Sequence, residues 1–447
     1  MCNMMKMNTI AAAFCTLILS LPLYSQSFSI EEAKSYALEN NLTIAEANNE
    51  IEIARLKITE IRGAGLPQVD INGNFNHFIN LPVTVLEASF FNPQAAPGET
   101  ISFEAGTKYT SNGTFQVSQL IFNGSYIVGL QTASLFAEFQ KNVTDQSRED
   151  VIFNVIQAYQ LTAVAKDNLV FMDSLVINTE LMIEQQKNYL DLGILKQEDM
   201  DQLSYSLINA KSVQTAAKIQ YENTKSMLKL AMGYPMKETI SITNSTAELL
   251  EKKALSSGDI QSNLTYTVLE KSVLLSELNL KNNRFANLPS LNAFFQQSYN
   301  AYRNEFDLFA AEKWFPQTVW GLQLNVPIFS GLSRYARTSQ AKVELLNSEN
   351  KLAQMEQNLQ FQEVQSRNNL RGAKNKFDLQ RENVILANSI YDKAITKKEV
   401  GNGNSIIVTQ KHNQLLMAQA QYIGSMAELF QARLAIDKLY NNILPNK

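Results

Sequence analysis

Residues Gln68-Val69-Asp70-Ile71-Asn72-Gly73-Asn74-Phe75-Asn76 alternate polar and apolar side chains, and the reading of this stretch decides the fold. A period of two belongs to a β-strand with one apolar face. Three further segments repeat it. Gly113, Phe115 and Val117 alternate with Thr114, Gln116 and Ser118. Leu291, Ala293, Phe295 and Tyr299 alternate with Ser290, Asn292, Gln296, Ser298 and Asn300. Thr318, Trp320, Leu322, Leu324 and Val326 are set against Gly321, Gln323 and Asn325. Gln297 on the apolar parity and Phe294 on the polar one are the exceptions. Segments of about ten residues match tilted transmembrane β-strands. No charge falls on the apolar parity, where a lipid-facing Arg or Lys costs about 2–4 kcal/mol at the bilayer midplane. Lipid-facing side chains are therefore expected at Val69, Ile71, Phe75, Phe115, Val117, Leu291, Phe295, Trp320, Leu322 and Leu324. A half-buried sheet of a soluble domain alternates in the same way, so the compartment has to be read elsewhere.

The first 25 residues supply it. Lys6 precedes an apolar run from Ile10 to Leu23, too short for a membrane-spanning helix but suited to a secretory signal, with cleavage expected near Ser25–Gln26. Residues 1–25 are thus read as a signal peptide. The chain's two cysteines, Cys2 and Cys15, fall within it, and Cys15 is a poor lipoprotein acceptor because Thr16 to Leu23 continue the run. Among 447 residues 18% are charged, and the net charge of −4 offers no basic footprint for nucleic acid. Two histidines, His77 and His412, are too few and too far apart for a histidine-rich metal site, and no cofactor motif or catalytic set is legible. His77 is read near a strand end and His412 on a polar helix face.

The chain repeats itself once. Arg62-Gly63-Ala64-Gly65-Leu66-Pro67 matches Arg284-Phe285-Ala286-Asn287-Leu288-Pro289 at an offset of 222, and Ile121-Phe122-Asn123-Gly124 matches Ile328-Phe329-Ser330-Gly331 at 207. The difference places an insertion in Leu81 to Lys108, which holds Pro82, Pro93 and Pro97 and reads as a long loop. The expected organisation is a first repeat over 26–245, with strands near 67–78 and 111–122 and helices over 124–192 and 197–232. A second repeat follows over 246–447, with strands near 289–302 and 317–329 and helices over 331–400 and 405–441. No proline lies between Pro97 and Pro235 or between Pro327 and Pro445, so the longest helices would each run roughly 100 Å. Leu203, Leu207, Ala210, Val213, Ala217 and Tyr221 recur at coiled-coil spacing. The fold class is mainly α with a membrane β-barrel, built from a tandem-duplicated α/β protomer. Four strands leave open edges that lipid does not tolerate, so several chains must share a barrel of 8, 12 or 16 strands.

The chain resembles the TolC family of outer-membrane efflux proteins over essentially its whole length after the signal. The resemblance rests on Ser29-Ile30-Glu31-Glu32-Ala33 with Ala37-Leu38-Glu39-Asn40-Asn41, on Leu-Pro before the first and third strands, and on Ile-Phe-x-Gly after the second and fourth. Gly193, Gly401 and Leu230-Ala231-Met232-Gly233 extend it. It implies a homotrimer whose twelve strands form one barrel in outer-membrane lipid, continued by a helical tunnel across the periplasm. Such a trimer is the exit duct of a tripartite efflux pump or type I secretion system. Its partners would be a periplasmic adaptor and an inner-membrane transporter of RND or ABC type.

The resemblance also places a periplasmic tip at the turns Leu190–Gln197 and Glu399–Ser405, with adaptor contacts expected at Leu192, Gly193, Ile194, Val400, Gly401, Asn402, Gly403 and Asn404. Ile407 and Gln410 stand where the family often carries acidic gate residues, and Gly403 where it often carries a base. The first-half tip is acidic instead, making Glu198, Asp199 and Asp201 candidate pore-lining groups; carboxylates in a helix's first turn also complement its macrodipole. The rival architecture is a periplasmic coiled-coil scaffold or adaptor with the strands in a soluble sheet.

Overall fold

The computed structural model describes residues 26–193, 195–251, 258–307 and 313–444; the signal segment with Cys2 and Cys15, and the tip residue Ile194, lie outside them. In chain order the elements are β1 (Gln26–Phe28), α1 (Ile30–Asn40), α2 (Leu42–Gly63), β2 (Gln68–His77), β3 (Val83–Glu87), β4 (Thr100–Glu104), β5 (Tyr109–Phe122), α3 (Gly124–Asp191) and α4 (Gln197–Met232). Then come β6 (Ile240–Ile242), α5 (Thr246–Glu251), α6 (Leu264–Phe285), β7 (Ser290–Arg303), β8 (Phe315–Asn325), α7 (Ser333–Glu399) and α8 (Ser405–Leu439). They divide into a helical unit (up to Glu50, Asn142–Val268 and from Ala353) and a strand unit (Ile51–Lys141 and Leu269–Leu352).

In the helical unit, Ser29 and Glu32 form a reciprocal capping box: Ser29 Oγ accepts from the Glu32 N–H at 3.3 Å and Glu32 Oε2 accepts from the Ser29 N–H at 2.7 Å. Asn41 separates α1 from α2. Its side-chain oxygen caps Thr43 N–H at 2.9 Å, while its amide nitrogen donates to Ala231 O at 2.9 Å. Ala231 lies just before Gly233, which ends α4 in the left-handed conformation (φ +72°). A Cβ there would sit 2.9 Å from Asn40 O, so glycine is required by both conformation and contact. Two sequence motifs about 190 residues apart thus meet. Around them packs a core of Ile44, Ile152, Val155, Leu228, Met232 and Leu429, with the buried Tyr159 hydroxyl donating to Phe28 O at 2.8 Å.

A second core joins the later halves of α3 and α7 to α4 and α8, through Met172, Leu175, Leu203, Tyr391, Val408 and Leu415. Within the stripe read from sequence, Leu203, Ala210 and Ala217 are buried, and Thr224 continues them at the same interval of seven. On α8 the buried residues Ser405, Val408, His412, Leu415, Gln419, Met426 and Leu429 follow alternating steps of three and four once Tyr422 is included. Such a seven-residue repeat keeps one seam facing its partner helices.

In the strand unit, β2, β5, β7 and β8 form an antiparallel sheet in that order. The fourth strand stops at Asn325 rather than continuing toward 329, because Pro327 has no N–H for the ladder. The stretch 81–108, read as a long loop, contains a hairpin of β3 and β4 paired Val83 to Glu104 through Glu87 to Thr100. Strands of five residues flanked by prolines leave too short a period for the sequence to announce them.

The two Ile-Phe-x-Gly glycines serve different purposes. A Cβ on Gly124 would lie 2.6 Å from Phe285 O, so close backbone approach requires it. Gly331 has open space but a φ of +59°, and Leu332 follows at +67°, turning the chain before α7 begins. Gly372, inside α7, has nothing within 4 Å of its would-be Cβ. Gly124→Ala should lower stability by about 1–3 kcal/mol through overpacking. Gly372→Ala, in an exposed helix interior, should raise it by about 0.5–1 kcal/mol. Thermal unfolding of the purified variants followed by circular dichroism checks both signs.

Candidate functional site: the strand faces and the helical turns

The register aligns side chains into rows across the sheet. One apolar row is Val69–Val117–Phe295–Trp320, and the polar rows include Asp70–Gln116–Gln296–Val319 and Asn72–Thr114–Ser298–Gln317. The apolar face is largely exposed rather than buried as the core of a water-soluble sheet is, and β2 is exposed along both faces. On the apolar face Ile71, Trp320, Leu322 and Leu324 are 79%, 78%, 64% and 63% exposed, and Val69, Phe75, Phe115 and Phe295 are exposed as well. Val117 and Leu291 are half-buried. On the polar face Thr114 and Ser298 are buried against each other, their hydroxyls 3.0 Å apart, and Asn112 donates to Asn300.

The two exceptions named from sequence, Gln297 and Phe294, are compensated locally. Gln297, on the apolar parity, accepts a hydrogen bond from Thr318. Phe294, on the polar parity, lies over Gly321, where a Cβ would meet its ring at 2.9 Å. Asp70 is the single carboxylate in the four paired strands, and Arg303 the single Lys or Arg, at the end of β7. At the His77 end of the sheet, Phe75, Tyr109 and Phe306 form an aromatic cluster with centroids 5.8–6.0 Å apart, and His77 stacks on Tyr109 at 4.4 Å. Trp320 sits in the middle of β8 opposite Phe295. Within the sheet β2 pairs only with β5 and β8 only with β7, so each presents an unpaired backbone edge.

Both helical turns carry a left-handed glycine. After α3, Gly193 has φ +73° and donates to Leu190 O at 2.9 Å, and Leu195 donates back to Tyr189 O at 3.0 Å. After α7, Gly401 has φ +79° and donates to Lys398 O at 3.0 Å, and Asn402 to Lys397 O at 2.9 Å. Left-handed glycines satisfy the last helical carbonyls in both. Leu192 and Val400, one residue before each glycine, are exposed, as are Asn402 and Gly403; Asn404 caps α8 by accepting from Ile407 N–H at 2.9 Å.

The three acidic residues of α4's first turn are not equivalent. Glu198 and Asp201 are exposed, and Asp201 accepts from Gln197 at 2.8 Å. Asp199 turns toward the other turn and accepts from Ser405 N–H at 3.4 Å, adding its charge to the positive end of α8. Lys398 is buried nearby; burial holds its pKa below the ordinary lysine value, with Asp199 opposing the shift. Among the described residues, no group of three or more His, Cys, Asp or Glu side chains is arranged to hold a metal.

Sequence reasoning placed His412 on a polar helix face, but it is buried in the seam, edge-on to Tyr391 at 5.5 Å, with neither ring nitrogen hydrogen-bonded. The signal that finds it is the three-four spacing of α8, in which position 412 belongs to the buried stripe. Burial lowers its pKa. The unfolded chain therefore takes up the proton first, near pH 6.5, and stability is lost as pH falls from there through the folded-state pKa. Glu149 is the opposite case: burial raises its pKa to about 7, so stability is lost as pH rises from the ordinary carboxylate range to about 7. Thermal midpoints measured from pH 5 to 8 should lose their acid-side fall in His412→Phe, and their decline toward neutrality in Glu149→Gln. Unchanged slopes would dismiss these two groups as their source.

Residues 270–442 match the family model described as outer membrane efflux protein. No curated protein sequence matches the chain. Among solved structures, CusC aligns with a TM-score of 0.73 at 14% identity, covering 93% of this chain and 92% of its own. The Campylobacter jejuni CmeC outer membrane channel aligns at 0.70 and 15% identity over 92% of this chain and 85% of its own. The outer membrane protein VceC of Vibrio cholerae gives 0.70 and 12% over 92% and 95%. Residues 270–442 are thus similar to the outer membrane efflux protein family, and the chain shares its fold almost end to end with CusC, CmeC and VceC.

Proposed function

We propose that this protein is the passive exit duct of a tripartite export system in the outer membrane. The observation that carries the reading is the sheet itself: an apolar face on which Ile71, Trp320, Leu322 and Leu324 lie exposed, and two edges left unpaired among the described residues. Lipid requires closure of such edges, and three chains joined β2 to β8 give one barrel of twelve strands. The helices then supply the periplasmic tunnel, and a partner transporter of RND or ABC type supplies the energy. The turns at Leu192–Gly193 and Val400–Gly401 are rigidly capped and end on exposed apolar side chains, which suits contact with the helical hairpin of a periplasmic adaptor. Exposed Glu198 and Asp201, in three copies, would favour cations at the entrance.

Imaging of the detergent-extracted membrane fraction should show threefold particles with a detergent belt at one end. A protein released by osmotic shock as a soluble particle would overturn the duct and leave the scaffold. Leu322→Arg should reduce membrane assembly, consistent with about 2–4 kcal/mol for a cation at mid-bilayer, while the neighbouring Gln323→Arg on the opposite face should assemble normally. Heat-resistant trimer recovered from washed membranes reads both. Leu192→Lys combined with Val400→Lys should leave the trimer intact and abolish adaptor copurification.

A further inference from the structure

At the end of the sheet where β2 and β7 begin, the polar face holds a cavity of about 340 Å³. Its lining includes Gln68, Gln116, Gln119, Asn292, Gln323 and the ring of Phe294. Gln68 and Gln119 use their amide nitrogens on main-chain carbonyls, at 2.8 and 3.0 Å for Gln68 and at 2.7 and 2.9 Å for Gln119, leaving their side-chain oxygens as acceptors. Among the described residues the side chains of Gln116, Asn292 and Gln323 have no hydrogen-bond partner, so each offers both donors and an acceptor. Phe294 is held against Gly321, fixing an aromatic surface among the amides. The lining carries no formal charge, and the nearest carboxylate in the register is Asp70, opposite Gln116.

We infer that this cavity is a binding subsite for a neutral, polyhydroxylated cargo, a saccharide chain. The inference rests on the duct reading, which puts the polar face around the lumen. An ionic ligand would need an opposite charge that the lining does not offer, and an apolar ligand would leave the carboxamides of Gln116, Asn292 and Gln323 without partners. A sugar hydroxyl both donates and accepts, as a carboxamide does, and the C–H face of a pyranose ring packs on an aromatic side chain. Phe294 breaks the strand alternation at the position where such a platform is needed, and Gly321 opposite makes the room for it. Three copies would set three subsites around the throat of the conduit.

The trimer is placed in planar bilayers, and maltohexaose is compared with a polyethylene glycol of equal hydrodynamic size. Maltohexaose should interrupt the current in a concentration-dependent, saturable way that the polymer does not. Phe294→Ala and the double variant Gln116→Ala/Gln323→Ala should each weaken that block at least about tenfold, equivalent to about 1.4 kcal/mol, with open-channel conductance retained. NMR saturation transfer from the detergent-solubilised trimer to maltohexaose reads binding directly if the channel rests closed. Equal block by sugar and polymer, unchanged block in both variants, or no saturation transfer would overturn the subsite while leaving the duct in place. A protein that neither inserts nor forms trimers would overturn the duct, and the subsite with it.

Discussion

The unpaired edges of β2 and β8 are the constraint on which the rest of the strand unit depends. Each carries a row of main-chain donors and acceptors that water can satisfy and hydrocarbon cannot. Joined to an exposed apolar face without charge, they describe a surface that is incomplete as a single chain in either solvent. In the duct proposed here, closure through further copies would resolve both defects together: the edges would pair, and the apolar side chains would acquire lipid. On the polar face some side chains bond across the strands, as Thr114 does to Ser298. The two residues that violate the alternation are held by local partners, so the register survives them.

The helical unit solves a different problem, that of keeping very long helices in fixed register. It uses seven-residue repeats in α4 and α8, and locks their ends with polar contacts between distant segments. Asn41 and Gly233 tie the end of α4 to the α1–α2 break, and Asp199 ties the start of α4 to the start of α8. Ser206 and Thr409 add a buried hydroxyl contact at 3.0 Å between the same two helices. Buried polar groups in a seam cost stability and restrict alternative registers. His412 and Lys398 lie in that class: both are buried, and burial opposes charge on both.

Much of this was legible in the amino-acid order. The alternation of four segments, the absence of charge on one parity, the capping box at Ser29–Glu32 and the glycines at 193 and 401 each reflect a local rule that a short window contains. The hairpin of β3 and β4 was hidden because five-residue strands beside prolines give too few periods to stand out from a loop. His412 was misplaced because a lone histidine reads as polar unless the heptad seam around it is followed over the length of α8. The unequal roles of Glu198, Asp199 and Asp201 were hidden as well, since Asp199 is distinguished only by Ser405, about two hundred residues away.

The sequence by itself determined the four long strands and the long helices, and which face of each of those strands is apolar, because periodicity and side-chain chemistry are local. Only the tertiary structure decided which segments meet: that β5 pairs with β7, that Phe294 covers Gly321, and that Gly124 is required by Phe285 O whereas its counterpart Gly331 is required by its backbone angle. Those facts depend on distances between residues far apart in the chain, and no short-range pattern encodes them.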